Sequence, residues 1–392
     1  MIYLDHHSTT PMDPNVVSAM LPWMTHQFGN PHSRTHELGR QAAAACDDAT
    51  MSIASLIGSE PHSIVVTSGA TESNNLAIDG FARHPRQKRR HLITAATEHP
   101  AVLDPIMRLA HDGFRVTILP VRPQGHPQCG QIDLDELKAK LDDDTAMVSI
   151  MWANNEIGTL QPMAEIASLA HSVGAVVHSD ATQAVGRLSI DMSATDVDLL
   201  SASAHKFYGP RGVGFLALRS KRRVRLRPLV EGGGQQNGVR SGTVNVPGLI
   251  GMKEALTICT RNMPIEAGRQ SVLRNHLWQR IQAAFPGVCL NGPPILDGIE
   301  DNELRLFNNL NFSLADVEGE TMMMAAPNLA ISSGSACSSV DPRPSHVLTA
   351  IGLSESRARR SLRIGIGRFT TAGEIDSAVD MLVSAYRKVV LN

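Results

Sequence analysis

Through the first 260 residues, short β-branched apolar runs alternate with longer stretches of helical period. This is the pattern of βαβ units wound around a mostly parallel sheet. Strands are expected at 63–67 (SIVVT), 91–95, 115–119, 147–152, 175–178, 198–201 and 212–218 (GVGFLAL). An Ala-rich helix is expected from Arg34 to Leu56, ended by Gly58, with others following Ser68–Thr71 through Leu76 and Ile78 and from Ala101 to His111. The texture changes at Glu231–Asn245 (EGGGQQNGVRSGTVN), a Gly-rich crossing loop, after which Val246 to Arg261 reads as a connecting helix. Beyond it come a helix, a Pro/Gly-rich loop (Asn291 to Asp301), a strand, a helix, a loop and a last helix from Glu374 to Val390. We therefore expect an α/β chain of two domains. The large α/β domain is 15–260, and 1–14 joins 261–392 in a smaller α+β domain.

Composition narrows the class. With 392 residues, 42% hydrophobic and 19% charged, the chain can bury a large core. Lysine plus arginine number 36 against 38 acidic residues, so a globally basic nucleic-acid binder is not expected. No apolar run reaches the length of a membrane span, and the first residues lack the pattern of a signal peptide. Five cysteines without a C-x-x-C pair form neither a disulfide framework nor a zinc knuckle, so a reducing, cytoplasmic setting is expected.

Four segments carry chemistry. His178–Gln183 (HSDATQ) ends one apolar strand and Ser201–Lys206 (SASAHK) follows another, at the carboxyl ends where α/β sheets place ligands. A lysine there suits a Schiff base to an aldehyde cofactor, and an aspartate on the neighbouring strand can pair with a pyridine nitrogen. Taken singly, Lys206 and Asp180 read better as a solvated loop lysine and a helix cap. Thr67–Asn75 (TSGATESNN) runs from a strand into a helix start and offers backbone N–H groups to an anion, although an ordinary N-cap would look alike. Cys337 sits in ISSGSACSS with Pro342 and Pro344 just after, an exposed setting for a thiol. Cys46, Cys129, Cys259 and Cys289 read as small or incidental residues.

Together with YLDHHSTTPMDP, GNPHSRTHELG, TEHPAV, ANNEIGTLQP, VEGE and RIGIGRFTT, these segments occur in an order that resembles the pyridoxal-phosphate-dependent cysteine desulfurases of the IscS/NifS type. Those enzymes are class V aminotransferase-like proteins of the type I fold, and the SSGSAC loop is similar to their long-loop first group. The resemblance implies that Lys206 carries pyridoxal 5'-phosphate, Asp180 pairs with its ring nitrogen, Gln183 bonds the ring hydroxyl and His99 stacks on the ring. It assigns the phosphate to Ala70, Thr71, Ser203 and His205, with Thr243 reaching in from the partner of a homodimer. Asn155 and Arg363 would bind the substrate carboxylate, which a planar guanidinium can grip twice. The implied reaction converts L-cysteine to L-alanine and leaves a persulfide on Cys337, with Lys206 and His99 moving protons. A sulfur-acceptor protein would follow, serving iron–sulfur cluster biogenesis or the thiolation of a cofactor or tRNA, with transient tRNA- or DNA-modification partners also open. The rivals are a selenocysteine lyase and a catalytically silent partner-binding homologue.

Two positions depart from the family pattern: His6-His7-Ser8 replaces the more usual Asn-Asn-Ala, and Gln236 stands where glutamate is common. Neither is expected to touch the cofactor. His32 and His36, four apart on an expected helix, lack a matching second pair, so no metal is expected. The basic runs Arg83–Arg90, Arg219–Arg227 and Arg357–Arg368 read either as docking surfaces or as solvated connectors.

Overall fold

The computed structural model describes residues 1–219, 224–295, 304–333 and 344–391. Cys337, part of the Arg219–Arg227 run and the end of the Asn291–Asp301 loop lie outside the described residues.

The chain opens with the short strand β1 (Ile2–Tyr3), and seven further strands then make one sheet. They are β2 (Ile64–Thr67), β3 (His91–Ala95), β4 (Arg115–Leu119), β5 (Thr145–Ser149), β6 (Val176–Asp180), β7 (Leu199–Ser203) and β8 (Gly214–Leu218). Their order is β2-β8-β7-β6-β5-β3-β4, and only β8 runs antiparallel to its neighbours. The expected strands are all present: 91–95 and 115–119 match, and the others differ at their ends by one to three residues. Inner strands covered by helices on both faces are buried along their whole length, which is why they read as unbroken apolar runs. The edge strand β4 is only partly buried, with Arg115 and Ile118 exposed and Leu119 buried. The opposite edge, β2, is closed by a side chain: the Gln236 carboxamide accepts from Val66 N at 2.7 Å and donates to Val66 O at 2.9 Å. Glutamate could accept but not donate there, so the departure at Gln236 completes a sheet edge.

A second, antiparallel sheet holds β9 (Cys289–Leu290), β10 (Asn309–Ser313), β12 (Ser332–Ser333) and β13 (Ser361–Gly365), while β11 (Leu329–Ala330) pairs with β1. Its core is built from Leu4, Leu277, Phe312, Leu362, Ile364 and Val379. The helix expected to end at Arg261 instead continues unbroken from Val246 to Ala284. Pro264 forgoes one backbone hydrogen bond, but Leu256 and Cys259 pack on the large core and Leu273, Leu277 and Ile281 on the small one, and this burial holds the helix through it. Packing also crosses the expected division at Val347 and Leu348, which sit in the large core. The helix expected from Arg34 begins at Glu37, because the His36 side chain caps it by accepting from Gly39 N at 3.1 Å.

Residues 5–10 run as a strap between the two sheets: Gly365 N bonds to Leu4 O, and Thr10 N to His205 O. The Gly-Ile-Gly of RIGIGRFTT makes room for it. A Cβ on Gly365 would stand 2.7 Å from His7 Cδ2, and one on Gly367 would run into the buried His6 ring. Gly367→Ala is therefore expected to destabilise the fold by about 1–3 kcal/mol through overpacking. Equal denaturant midpoints for variant and wild type would refute that.

Candidate active site

A cavity of about 510 Å³ opens at the carboxyl ends of β6 and β7 and the start of the helix Ala70–Ala82. Its lining includes Ala70, Thr71, His99, Asn155, Asp180, Gln183, Ser203, His205, Lys206 and Arg363, drawn from segments nearly 300 residues apart. Of the residues singled out in the sequence, Thr243 is exposed and lines no part of this cavity in one chain, and Cys337 lies outside the described residues.

Lys206 closes a single 3₁₀ turn after β7, and its Nζ donates to His7 O and Ser8 O, both at 2.7 Å. Asp180 ends β6 and is buried. Its carboxylate accepts from Asn74 Nδ2 at 2.7 Å and from Thr182 N at 3.0 Å, so the oxygens are held in place. Asn74 belongs to TSGATESNN but was given no role; the signal was a polar residue on the buried face of that helix. Beneath Asp180, His178 sits between Ser149 Oγ (2.8 Å) and Ser201 Oγ (3.0 Å), and burial pushes it down to about 4, so it is neutral.

His99 begins the helix Pro100–His111, and its Nδ1 accepts from Ala101 N at 3.0 Å. The neutral ring therefore carries its proton on Nε2. Burial lowers its pKa, with the Lys206 cation adding to the effect and Asp180 opposing it. The preceding Glu98 is fully buried: Oε1 accepts from Met151 N at 2.6 Å, and Oε2 has no partner among the described residues. Burial raises its pKa well above the ordinary carboxyl range, with Asp180 reinforcing it, so it is held as the neutral acid.

At the helix start, Gly69 supplies no capping side chain, leaving the first-turn N–H groups of Ala70 and Thr71 for an external acceptor. Ser203 and His205 face the same end. His205 Nδ1 lies 3.0 Å from Thr9 Oγ1; burial, then the adjacent Lys206, hold this ring down at about 4. Glu72 would repel an anion here, but Arg240 Nε bonds it at 2.8 Å and pairs its charge. These donors, the lysine and the aspartate fit a phosphate-bearing pyridine aldehyde.

Arg363 rises from β13 at the other end and is 1% exposed. The guanidinium is already largely engaged: Nη2 donates to Asp5 Oδ1 (2.8 Å), Ser8 Oγ (2.9 Å) and Ser332 Oγ (3.2 Å), and Nη1 to Asn155 O (3.2 Å). Its Nε is buried without a partner among the described residues. The strap brings the His6–Ser8 departure, which was not expected to touch the cofactor, beside the site. His7 lines the cavity and bonds Gln183, because β1 pairing carries the strap across the gap between the sheets. Arg187, likewise unforeseen, is buried and donates to the carbonyls of Gln183, His6 and Lys206.

Other candidates resolve locally. His36 is a helix cap and His32 lies in a turn, not on one helix. The first basic run is tied inward: Arg83 pairs with Asp79 and Asp112, Arg89 donates to Thr145 O and Val173 O, and Arg90 stacks on Phe114. Burial raises the thiols of Cys46 and Cys129 to about 11. No helix of the described residues is long and apolar enough to cross a membrane.

Residues 2–377 match the family described as Aminotransferase class-V. A cysteine desulfurase IscS of Rickettsia rickettsii is 44% identical over 388 residues, covering 99% of this chain and 92% of that protein. Among solved structures, a NifS-like protein superposes with a TM-score of 0.89 at 32% identity, covering 99% of both chains. A structure titled SspA in complex with cysteine gives 0.79 at 33% identity, covering 95% of this chain and all of that one.

The neutral Glu98 makes a testable demand. The folded state keeps a proton that the unfolded chain releases above the ordinary value of 4.5, so this stability is present at low pH and lost as pH rises. Glu98→Gln cannot titrate. Its thermal midpoint should fall less than that of wild type between pH 5 and 8, and equal slopes would show that Glu98 is ionised in the fold.

Proposed function

This chain belongs to the class-V aminotransferase family and acts as a cysteine desulfurase, and from that premise we propose which residues carry the reaction and with what cofactor. The cavity holds pyridoxal 5'-phosphate on Lys206. The observation that carries this reading is the Lys206 Nζ in one cavity with the clamped Asp180 carboxylate and an uncapped helix start. Ala70, Thr71, Ser203 and His205 hold the phosphate, Asp180 the ring nitrogen and Gln183 the ring hydroxyl, with His99 against the ring face. Bound there, the cofactor withdraws electrons from the amino acid's Cα, which acidifies the α-proton and makes the Cβ–S bond breakable.

L-Cysteine presents its carboxylate to Arg363, whose unpartnered Nε–H supports that role, and to Asn155. Lys206, as the free amine, receives the α-proton, and the carbonyls of His7 and Ser8 accept from the ammonium that forms. His99 Nε2 is placed to exchange a proton with the substrate. The Cys337 thiolate attacks the substrate sulfur: the S–S bond forms as Cβ–S breaks, and L-alanine leaves. The persulfide then passes to an acceptor of the iron–sulfur or thiolation kind.

The active unit is a homodimer in which Thr243 completes the partner's phosphate site. Two features support this: Thr243 is exposed, and the helix Pro14–Thr25, which packs beside the helix that follows Thr243, turns an apolar stripe outward. The stripe is Val17 (49% exposed), Leu21 (57%) and Met24 (64%), with Phe28 (70%) just beyond the helix end.

Two experiments test these proposals. Protein loaded with pyridoxal phosphate should release many equivalents of alanine from L-cysteine with reductant present, while Cys337→Ala and Lys206→Ala release at most one. Multiple turnovers by Cys337→Ala would remove that thiol from the reaction. In sedimentation equilibrium the wild type should be dimeric and Leu21→Asp with Met24→Asp shifted to monomer with weaker cofactor retention. An unchanged dimer would place the interface elsewhere.

A further inference from the structure

His7 is buried, 1% exposed, and touches the cavity from the strap. Two bonds tie it to Gln183. Gln183 Nε2 donates to His7 O at 2.9 Å, and His7 Nδ1 lies 3.2 Å from Gln183 Oε1. The first bond fixes the polarity of the second. A backbone carbonyl only accepts, so the amide's NH₂ end must face it and its oxygen must face the imidazole. The imidazole Nδ1 therefore carries a proton and donates. The other nitrogen, Nε2, is buried without a partner among the described residues. A single ring proton is consistent with the surroundings: burial, then the guanidiniums of Arg187 and Arg363 and the Lys206 ammonium, hold His7 well below its ordinary pKa. The ring is seated by shape as well, since Gly365 leaves its Cδ2 the space that a Cβ would take.

We infer that His7 is a positioning residue for the cofactor: by donating from Nδ1 it locks the Gln183 carboxamide so that its second N–H points to the ring oxygen. The inference rests on the proposed pyridoxal phosphate site. One N–H of Gln183 is spent on His7 O, and the lock leaves the other for the cavity. Without a donor at Nδ1 the amide oxygen loses its partner, and rotation about the last torsion can turn it toward the ring oxygen, where acceptor would meet acceptor. The job needs a donor at the Nδ1 position and nothing from Nε2. Asparagine, the more usual residue in the family pattern, places its Nδ2 at the same distance along the side chain, so the two residues are interchangeable here for a chemical reason.

The test reads the bound cofactor, not turnover. Donation of an N–H to the ring oxygen favours its anionic form, so the pH midpoint of the visible absorption of the loaded protein reports on the bond. His7→Leu should raise that midpoint by about 0.5–1 pH unit, the size of one net hydrogen bond. His7→Asn should restore it to within about 0.2 unit, and His7→Met serves if the leucine variant fails to fold. A role confined to filling space would move thermal midpoints and leave the absorption titration alone. The inference is overturned by a leucine or methionine variant that titrates like wild type, or by an asparagine variant displaced as far as leucine. A folded wild type with no visible band after incubation with pyridoxal phosphate overturns the cofactor reading and this inference with it. The band's presence in wild type thus separates the two failures.

Discussion

Three consecutive carbonyls, those of His6, His7 and Ser8, are where the halves of this molecule are tied together. Arg187 donates to the first, Gln183 and Lys206 to the second, and Lys206 again to the third. Arg187 is buried and is held by main-chain oxygens of Gln183, His6 and Lys206. A buried cation is tolerable only if its donors are satisfied, so those three segments must converge on it. The strap is pinned at its other end by β1 pairing with β11 and by Arg363 reaching Asp5 and Ser8. One extended segment thereby sets the position of the lysine against the arginine, the two ends of the proposed reaction.

Burial suppresses the charge of several groups in and around the cavity. His6, His178 and His205 are each held near 4, and burial lowers His7 well below its ordinary value. Glu98 is kept as the neutral acid. The acidic and basic side chains lining the cavity are Glu72, Asp180, Lys206, Arg211 and Arg363; the proposed scheme uses Asp180, Lys206 and Arg363, while Glu72 is paired with Arg240. Neutral histidines still orient their neighbours by hydrogen bonds, and they do so without competing with Lys206 or Arg363 for anions.

Much of the fold was legible because its signals are local. Strands buried on both faces read as apolar runs in β5, β6 and β7, and the chemistry-bearing segments follow them directly. Where the reading missed, the deciding contact was distant in sequence. The helix beginning at Val246 runs through Pro264 because two cores pack against it, which no window of residues around Pro264 contains. Gln236 looked like a departure and turned out to pair with Val66, 170 positions away.

The sequence by itself determined the α/β class, the carboxyl-end placement of Asp180 and Lys206, and the family pattern, because each depends on residue type and spacing along one element. Only the tertiary structure decided that Asn74 clamps Asp180, that Asp5 and Ser8 engage Arg363, and that His7 belongs to the site. Those contacts join residues from 106 to 358 positions apart. Hydrogen bonding acts within about 3 Å in space, so its partners are chosen by how the sheets and strap fold together, not by neighbours along the chain.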